Sequence, residues 1–325
     1  MRKKIAIVTG GHSAEKIISR KSASTVQKHL DTNSYESYLV DISEQKWQCI
    51  IDNNTYNIDK NDFSFTKDDQ QIIFDAVYIA LHGTPGEDGK LQSYFDMLKI
   101  PYSGSDVFAS AMTFNKFMCN KLLKQYGIKS ANAINLFRDT KIDIENIGKQ
   151  ITFPCFVKPN AAGSSFGVSR VNTISDLDAA IQHAFAHDEM IIIEDFVDGV
   201  EVTCGVHNSF GSIEILATTE VVTLNDFFDF NAKYNGESEE ITPARISEVE
   251  NTEVENISIQ IYKILGLNGI TRIDFIIKEG VPYLIEVNTV PGMTEESFIP
   301  QQAAYKNIPL SKLFAAVIDQ CLNKA

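Results

Sequence analysis

The chain has 325 residues, 44% of them hydrophobic and 22% charged, and a net charge of −14 at pH 7. That length suits two or three small domains better than one core, and the acidic balance disfavours a nucleic-acid partner, which needs a basic face, but not a small phosphorylated ligand held by a few local Lys and Arg. Cys49, Cys119, Cys155, Cys204 and Cys321 are scattered without a C-x-x-C, the apolar run Ile5–Val8 is too short for a signal-peptide core, and no segment approaches a membrane span, so the expectation is a cytoplasmic protein in a reducing compartment with no membrane partner.

Ile5–Val8 reads as a short buried strand, followed by a glycine turn, a helical stretch to about Leu30 and a second strand around Tyr38–Val40. Asp75–Leu81 reads as a third strand, ending at His82-Gly83. Strand, helix and strand in succession imply a parallel sheet with helices on its faces, and functional residues then collect in loops past the strands' carboxyl ends, where His12, Glu15 and His82 fall. Residues 1–104 form an expected N-terminal α/β domain.

From 105 to 150 the pattern is mainly helical, with Phe117, Leu122, Leu123 and Tyr126 at helical spacing and Gly127 as the stop. Thr152–Lys158 reads as a strand, and Pro154 near its start marks it as an edge strand. Gly167–Val171 pairs back antiparallel, a helix follows near Leu177–Phe185, and a strand near Met190–Glu194 completes an α+β unit, the expected domain 105–195. The rest, 196–325, is richer in strands and closes on an amphipathic helix carrying Leu310, Leu313, Phe314, Val317 and Ile318. Residues 225–245 are polar and without period, which in a compact domain marks a functional loop or disorder.

The densest chemistry lies in Thr271-Arg272-Ile273-Asp274 and Leu284-Ile285-Glu286-Val287-Asn288, strands joined by the hairpin-like turn Lys278-Glu279-Gly280. Residues two apart on a strand share a face, so Arg272 pairs with Asp274 and Glu286 with Asn288. Asp274, Glu286 and Asn288 supply oxygen donors that suit a hard cation such as Mg²⁺, with Arg272 as a fixed charge beside it; the bland alternative is a merely polar hairpin face. Lys158 opens a small-residue loop, Pro159 to Val168, that reads either as a backbone cradle for phosphate or as a flexible hairpin. The chain has no Walker A loop: Gly83 to Lys90 has one residue too many and Leu91 where Ser or Thr belongs, and Gly10-Gly11 lacks the G-x-G-x-x-G pattern. Ile191–Glu201 offers an apolar strand, a turn and an acid, as a nucleobase and ribose need. Taken alone, Glu15 is an ordinary first-turn acid, His82 a loop histidine and Lys116 a solvated lysine at the wrong end of a helix for its dipole.

Taken together, these segments resemble the D-alanine–D-alanine ligases of the ATP-grasp superfamily. The resemblance is carried in order by Gly10-Gly11-x-Ser13-x-Glu15, Ala80-Leu81-His82-Gly83-x-x-Gly86-Glu87-Asp88-Gly89, Pro101–Ser105, Lys158-Pro-x-x-x-Gly163-Ser164-Ser165-x-Gly167-Val168, Ala232-Lys233-Tyr234, Arg272-x-Asp274, Glu286-x-Asn288-Thr289-x-Pro291-Gly292-Met293-Thr294 and Ser297, across nearly the whole chain. It implies α/β and α+β architecture, an ATP-grasp fold of two subdomains, 105–195 and 196–325, preceded by the N-terminal parallel-sheet domain. It implies ligation of two D-alanines through a D-alanyl phosphate, with ATP as substrate and two Mg²⁺ or Mn²⁺ ions, for peptidoglycan precursor synthesis. D-lactate- and D-serine-using ligases and other ATP-grasp carboxylate–amine ligases are the rival readings, and a homodimer stays open.

The same resemblance assigns roles. Lys116 and Lys158 hold ATP phosphates, Ser164 and Ser165 sit in the covering loop, and Lys233 reaches the γ-phosphate. Glu194 and Glu201 contact adenine and ribose with backbone from Asp195, Phe196 and Val197, and Asp274, Glu286 and Asn288 bind metal. Glu15 holds the first D-alanine's ammonium with His82 nearby, Tyr234 links through Ser164 to Glu15 on the 225–245 lid, Arg272 and the Gly292 N–H face the oxyanion, and Ser297 holds the second D-alanine's carboxylate beside Phe298. Two positions depart from the family pattern: Asn115 stands where Asp is common, and Phe298 where Leu is common, which bears on the shape of the acceptor site.

Overall fold

The computed structural model describes residues 2–13, 15–163, 166–223 and 238–323. The expectations placed on Ser164, Ser165, Lys233 and Tyr234 lie outside these residues.

The first sheet is built from β1 (Lys3–Gly10), β2 (Tyr35–Ile42), β3 (Trp47–Ile51) and β4 (Asn54–Asn57), with a separate hairpin of β5 (Phe65–Lys67) and β6 (Gln70–Ile72), and ends with β7 (Ala76–Ile79). β1 lies between β2 and β7, parallel to both, while β3 and β4 extend the β2 edge antiparallel. Both faces of β1 are buried, which accounts for its unbroken apolar run. Ile5 and Ile7 face helix α1 (Lys16–His29), and Ala6 and Val8 face a second core with Phe63, Phe65 and Phe95. The expected strand at Asp75–Leu81 is shorter, because pairing with β1 stops at Ile79.

Helices α2 (Lys90–Leu98), α3 (Val107–Phe114) and α4 (Lys116–Lys124) lead into β8 (Ala133–Phe137). The mainly helical reading of 105–150 missed β8, whose half-buried residues carry little alternation. After α5 (Ile144–Gln150) come β9 (Cys155–Pro159), β10 (Ser169–Val171), α6 (Leu177–Phe185) and β11 (Met190–Asp195), forming an antiparallel sheet in the order β10-β9-β11-β8. The edge placement of the strand after Pro154 is therefore wrong: β9 pairs on both sides. Pro154 stands one residue before the strand, where its missing N–H costs no ladder bond.

The third sheet holds β12 (Val200–His207), β13 (Glu214–Thr223), β14 (Ser238–Ile241), β15 (Ile270–Lys278) and β16 (Val281–Asn288) in the order β14-β13-β12-β15-β16, with helix α7 (Glu248–Ile264) packed on one face. β14 falls inside the stretch read as aperiodic loop, and it gains strand form by pairing with β13 rather than from its own pattern. β15 and β16 join through Glu279 and Gly280 at φ 52° and 76°, the left-handed pair of a tight hairpin turn. Helix α8 (Phe298–Tyr305) packs across β12 and β13, and α9 (Leu310–Leu322) returns to the first sheet. There Leu313, Phe314, Val317 and Ile318 join Ile5 and Ile7 in one core, and Tyr35 Oη donates to Asp319 at 2.7 Å. The C-terminal helix thus ties the third sheet's connections to the N-terminal unit.

Candidate active site

Antiparallel pairing sets Arg272 opposite Asn288 and Asp274 opposite Glu286, so the four polar side chains share one face of the β15–β16 hairpin. A register shift follows at once between Asp274 and Phe275, after which Phe275 and Leu284 pair within the core. Asp274 is gripped from three directions. Arg272 Nε and Nη2 lie 2.9 Å from its two oxygens, Asn288 Nδ2 lies 3.2 Å away, and Thr203 Oγ1, directly across on β12, donates at 2.6 Å. Glu286 is reached by Lys116 Nζ at 3.3 Å and Arg272 Nη2 at 3.8 Å.

Lys116 begins α4, and its Nζ also donates to the Ala162 carbonyl at 2.7 Å. The small-residue loop is thereby joined to the hairpin's carboxylates through one ammonium. Asn115 caps the helix, accepting from the Met118 N–H at 3.0 Å, as Asp would; the departure from the family pattern costs nothing there. Lys158 stands at the other end of the loop and pairs with Glu194 at 2.5 Å, both largely buried.

Glu15 begins α1, between two glycines. Gly83, at φ +71°, would with a Cβ come 3.1 Å from its Oε2, and a Cβ on Gly163 would collide with the same carboxylate. The first strand's loop, the His82-Gly83 loop and the small-residue loop therefore converge on Glu15. Glu87 lies beyond Gly83, accepting its N–H at 2.7 Å. Burial and then the Glu15 charge push the Glu87 carboxyl up to about 8.

His82 is buried, and both ring nitrogens are engaged: Nδ1 with the Val290 carbonyl at 2.8 Å, Nε2 with Ser22 Oγ at 3.0 Å. Burial holds its basicity down, against the opposing pull of Glu15. His12, in the first loop, is exposed. The loop after β16 carries Gly292 and Ser297. Ser297 Oγ accepts the Thr294 N–H at 3.1 Å, and a Cβ on Gly292 would lie 2.9 Å from that oxygen, so the loop folds tightly over itself. Phe298 opens α8 with its ring 5.5 Å from the Arg272 guanidinium, a cation–π contact.

At the end of β11, the Asp195 N–H donates to the Asn132 carbonyl and the Phe196 N–H to that of Pro154, and Phe196 packs against Phe156. Glu201 stands near the start of β12, opposite Ile276. A groove of about 750 Å³ lined by Tyr38, Leu39, Ile50, Lys67 and Gln70 lies elsewhere, on the N-terminal unit, and includes none of these side chains.

Two family models match: D-ala D-ala ligase N-terminus over residues 4–105 and D-ala D-ala ligase C-terminus over 122–319. The chain belongs to the D-alanine–D-alanine ligase family. A ligase of that name from Parabacteroides distasonis is 46% identical, covering 98% of this chain and 97% of its own, and one from Phocaeicola vulgatus is 45% identical over 98% and 99%. The crystal structure of the VanG D-Ala:D-Ser ligase from Enterococcus faecalis superimposes with a TM-score of 0.88 at 30% identity, over 98% of this chain and 99% of that one. The ATP-grasp fold behind an N-terminal α/β unit, expected from the motifs, is the fold of this ligase.

The hairpin face also fits the family's divalent metal. Two carboxylates and a carboxamide are hard oxygen donors, and Arg272 and Lys116 now balance the charge that a cation would. Among the described residues no group of three His, Cys, Asp or Glu side chains could hold a metal ion. The residues that sequence reasoning missed are Thr203, Ser22 and, as a site group, Glu87. Ser22 had a legible signal: with Ser19, Ala23 and Val26 it lies on the buried stripe of α1. Among the described residues no helix is long and apolar enough to cross a membrane, and all five cysteines are free and buried.

Proposed function

We infer that this chain joins two D-alanines at the expense of ATP, giving D-alanyl-D-alanine, ADP and phosphate for the peptidoglycan precursor. The observation that carries the reading is the shared face of Arg272, Asp274, Glu286 and Asn288, with Lys116 reaching both Glu286 and the small-residue loop.

The chemistry asks for this arrangement. A carboxylate is a poor electrophile. Its oxygen attacks the γ-phosphorus of ATP, the bond to ADP breaks, and an acyl phosphate forms. The second D-alanine's amine then attacks the acyl carbon, a tetrahedral oxyanion develops, phosphate leaves and the amine gives up a proton. Lys116 and Lys158 bind the phosphates, Glu15 anchors the first ammonium between Gly83 and Gly163, and Arg272 with the Gly292 N–H faces the oxyanion. Asp274, Glu286 and Asn288 would hold two Mg²⁺, which supply charge neutralisation across the phosphates. Backbone from Asp195 to Val197 contacts adenine; the Asp195 and Phe196 N–H groups donate to the Asn132 and Pro154 carbonyls just outside β8 and β9. Glu194 reaches the base while shared with Lys158, and Glu201 takes the ribose. Ser297 receives the second carboxylate.

Ser164, Ser165, Lys233 and Tyr234 complete the reading as loop and lid groups. The domain limits follow it, at 1–104, 105–195 and 196–325. Cytoplasmic location and assembly as a homodimer belong to the same proposal. Incubation with ATP, Mg²⁺ and D-alanine should release phosphate and yield the dipeptide, and L-alanine should not substitute. A folded preparation that makes no D-alanyl-D-alanine would overturn it.

A further inference from the structure

We infer that Ser22 is a positioning residue for the loop that carries Gly292. The inference rests on the assignment of the Gly292 N–H to the oxyanion. The Met293 N–H donates to Ser22 Oγ at 3.1 Å, and Ser22 Oγ lies 3.0 Å from His82 Nε2. The Val290 carbonyl can only accept, so His82 Nδ1, 2.8 Å away, carries the proton and Nε2 is left to accept from the Ser22 hydroxyl. The chain of donors runs in one direction: Met293 N–H to Ser22, Ser22 O–H to His82, His82 Nδ1–H to Val290.

Both ends of this chain lie on one short loop, at Val290 and Met293, and they bracket Gly292. The middle lies on the N-terminal unit. Ser22 is fully buried on α1, the helix that Glu15 begins, and the His82 N–H is held by Ser19 Oγ at 3.0 Å. The groups that receive the first substrate and the amide that meets the oxyanion are thereby fixed to each other across the junction of two units. Both hydrogen bonds at Ser22 are buried, so deleting the hydroxyl strands two groups, the Met293 N–H and His82 Nε2.

The test uses the full-length protein. Ser22→Ala should lower kcat about ten-fold or more, the scale of one lost buried hydrogen bond with stranded partners, and leave the KM for ATP unchanged. Ser22→Cys, with a weak donor in the same place, should fall between. Selective ¹⁵N-histidine spectra, with His82 assigned through His82→Gln, should show an Nδ1–H tautomer, and its Nε2 signal should move toward that of an unbonded ring nitrogen in Ser22→Ala. Hydrogen exchange on the unaltered protein should show the Met293 amide protected, which keeps the inference open to refutation even where a variant fails to fold. An Nε2–H tautomer, an unprotected Met293 amide, or a Ser22→Ala enzyme with unchanged kcat would each overturn it. A protein that makes no dipeptide overturns the ligase reading instead, and the spectra and exchange then still judge the clamp.

Discussion

Arg272 and Asp274 lie two residues apart on one strand and are locked together, with guanidinium Nε and Nη2 each 2.9 Å from a carboxylate oxygen. The same pairing that aims the arginine also occupies the carboxylate assigned to metal. Arg272 is also flanked by the Phe298 ring 5.5 Å away and by Glu286 at 3.8 Å.

Arg272→Ala should leave ATP binding close to normal and lower turnover about 100- to 1,000-fold, the usual cost of one oxyanion donor. Steady-state kinetics with a separate nucleotide-binding assay divides the two effects. Near-normal turnover would remove Arg272 from the oxyanion role.

Thr203 is the support that the motifs did not show. Its hydroxyl is buried and holds Asp274 Oδ1 at 2.6 Å. Thr203→Val keeps the shape and deletes the donor, and groups that orient a metal ligand typically matter 10- to 100-fold for metal affinity. The Mg²⁺ concentration for half-maximal activity should rise by about that factor, and direct Mn²⁺ binding should weaken in parallel. Thr203→Ser should restore both. Equal metal affinity in Thr203→Val and the unaltered protein would show that the contact is only packing.

Glu87 gives a pH-dependent expectation. Its carboxyl is raised from an ordinary value of 4.5 to about 8, by burial first and by Glu15 second. Between those values the folded chain binds more protons than the unfolded chain, so this group's contribution to stability falls as pH rises through the window. Glu87→Gln keeps an acceptor for the Gly83 N–H and cannot ionise. Its stability relative to the parent should therefore improve from about pH 5 to about pH 8, by roughly 1–2 kcal/mol because the side chain is only partly enclosed. Chemical denaturation at the two ends measures the difference. A constant difference would mean that Glu87 is ionised throughout.

Much of the site was legible because its residues are fixed by local period. Arg272, Asp274, Glu286 and Asn288 needed only strand alternation and a hairpin turn, both of which a short window carries. β8 and β14 were not legible, because each gains its form from neighbours distant in sequence: β8 from β11 and β14 from β13. Pro154 misled for a related reason. A proline beside a strand marks an edge only if it lies within the ladder, and one residue decides that. Thr203 and Ser22 look like ordinary polar residues within apolar periods, and only tertiary contact reveals that their hydroxyls meet Asp274 and His82.

The acceptor is the remaining discriminating question, because the fold is shared with a D-Ala:D-Ser ligase at a TM-score of 0.88. Side chains rather than fold separate the acceptors. The family resemblance implies that lactate-using relatives carry a His where this chain has Lys233-Tyr234, which favours a neutral hydroxy-acid acceptor. On the proposed reading, Lys233-Tyr234 favours an amine acceptor, and Ser297, whose Oγ lies 3.1 Å from the Thr294 N–H, takes the acceptor's carboxylate. The enzyme should make the dipeptide and little or no depsipeptide near neutral pH, read by product chromatography with D-alanine and D-lactate in competition. Tyr234→Phe, which keeps the ring and removes the hydroxyl, should lose activity by the few kcal/mol of one buried hydrogen bond while still binding ATP. Unchanged dipeptide synthesis by that variant would remove the lid hydroxyl from the network with Ser164 and Glu15. Efficient D-lactate incorporation by the unaltered protein would remove the acceptor assignment itself. Phe298 would then be the residue to alter first, since its ring borders both Ser297 in sequence and Arg272 in space.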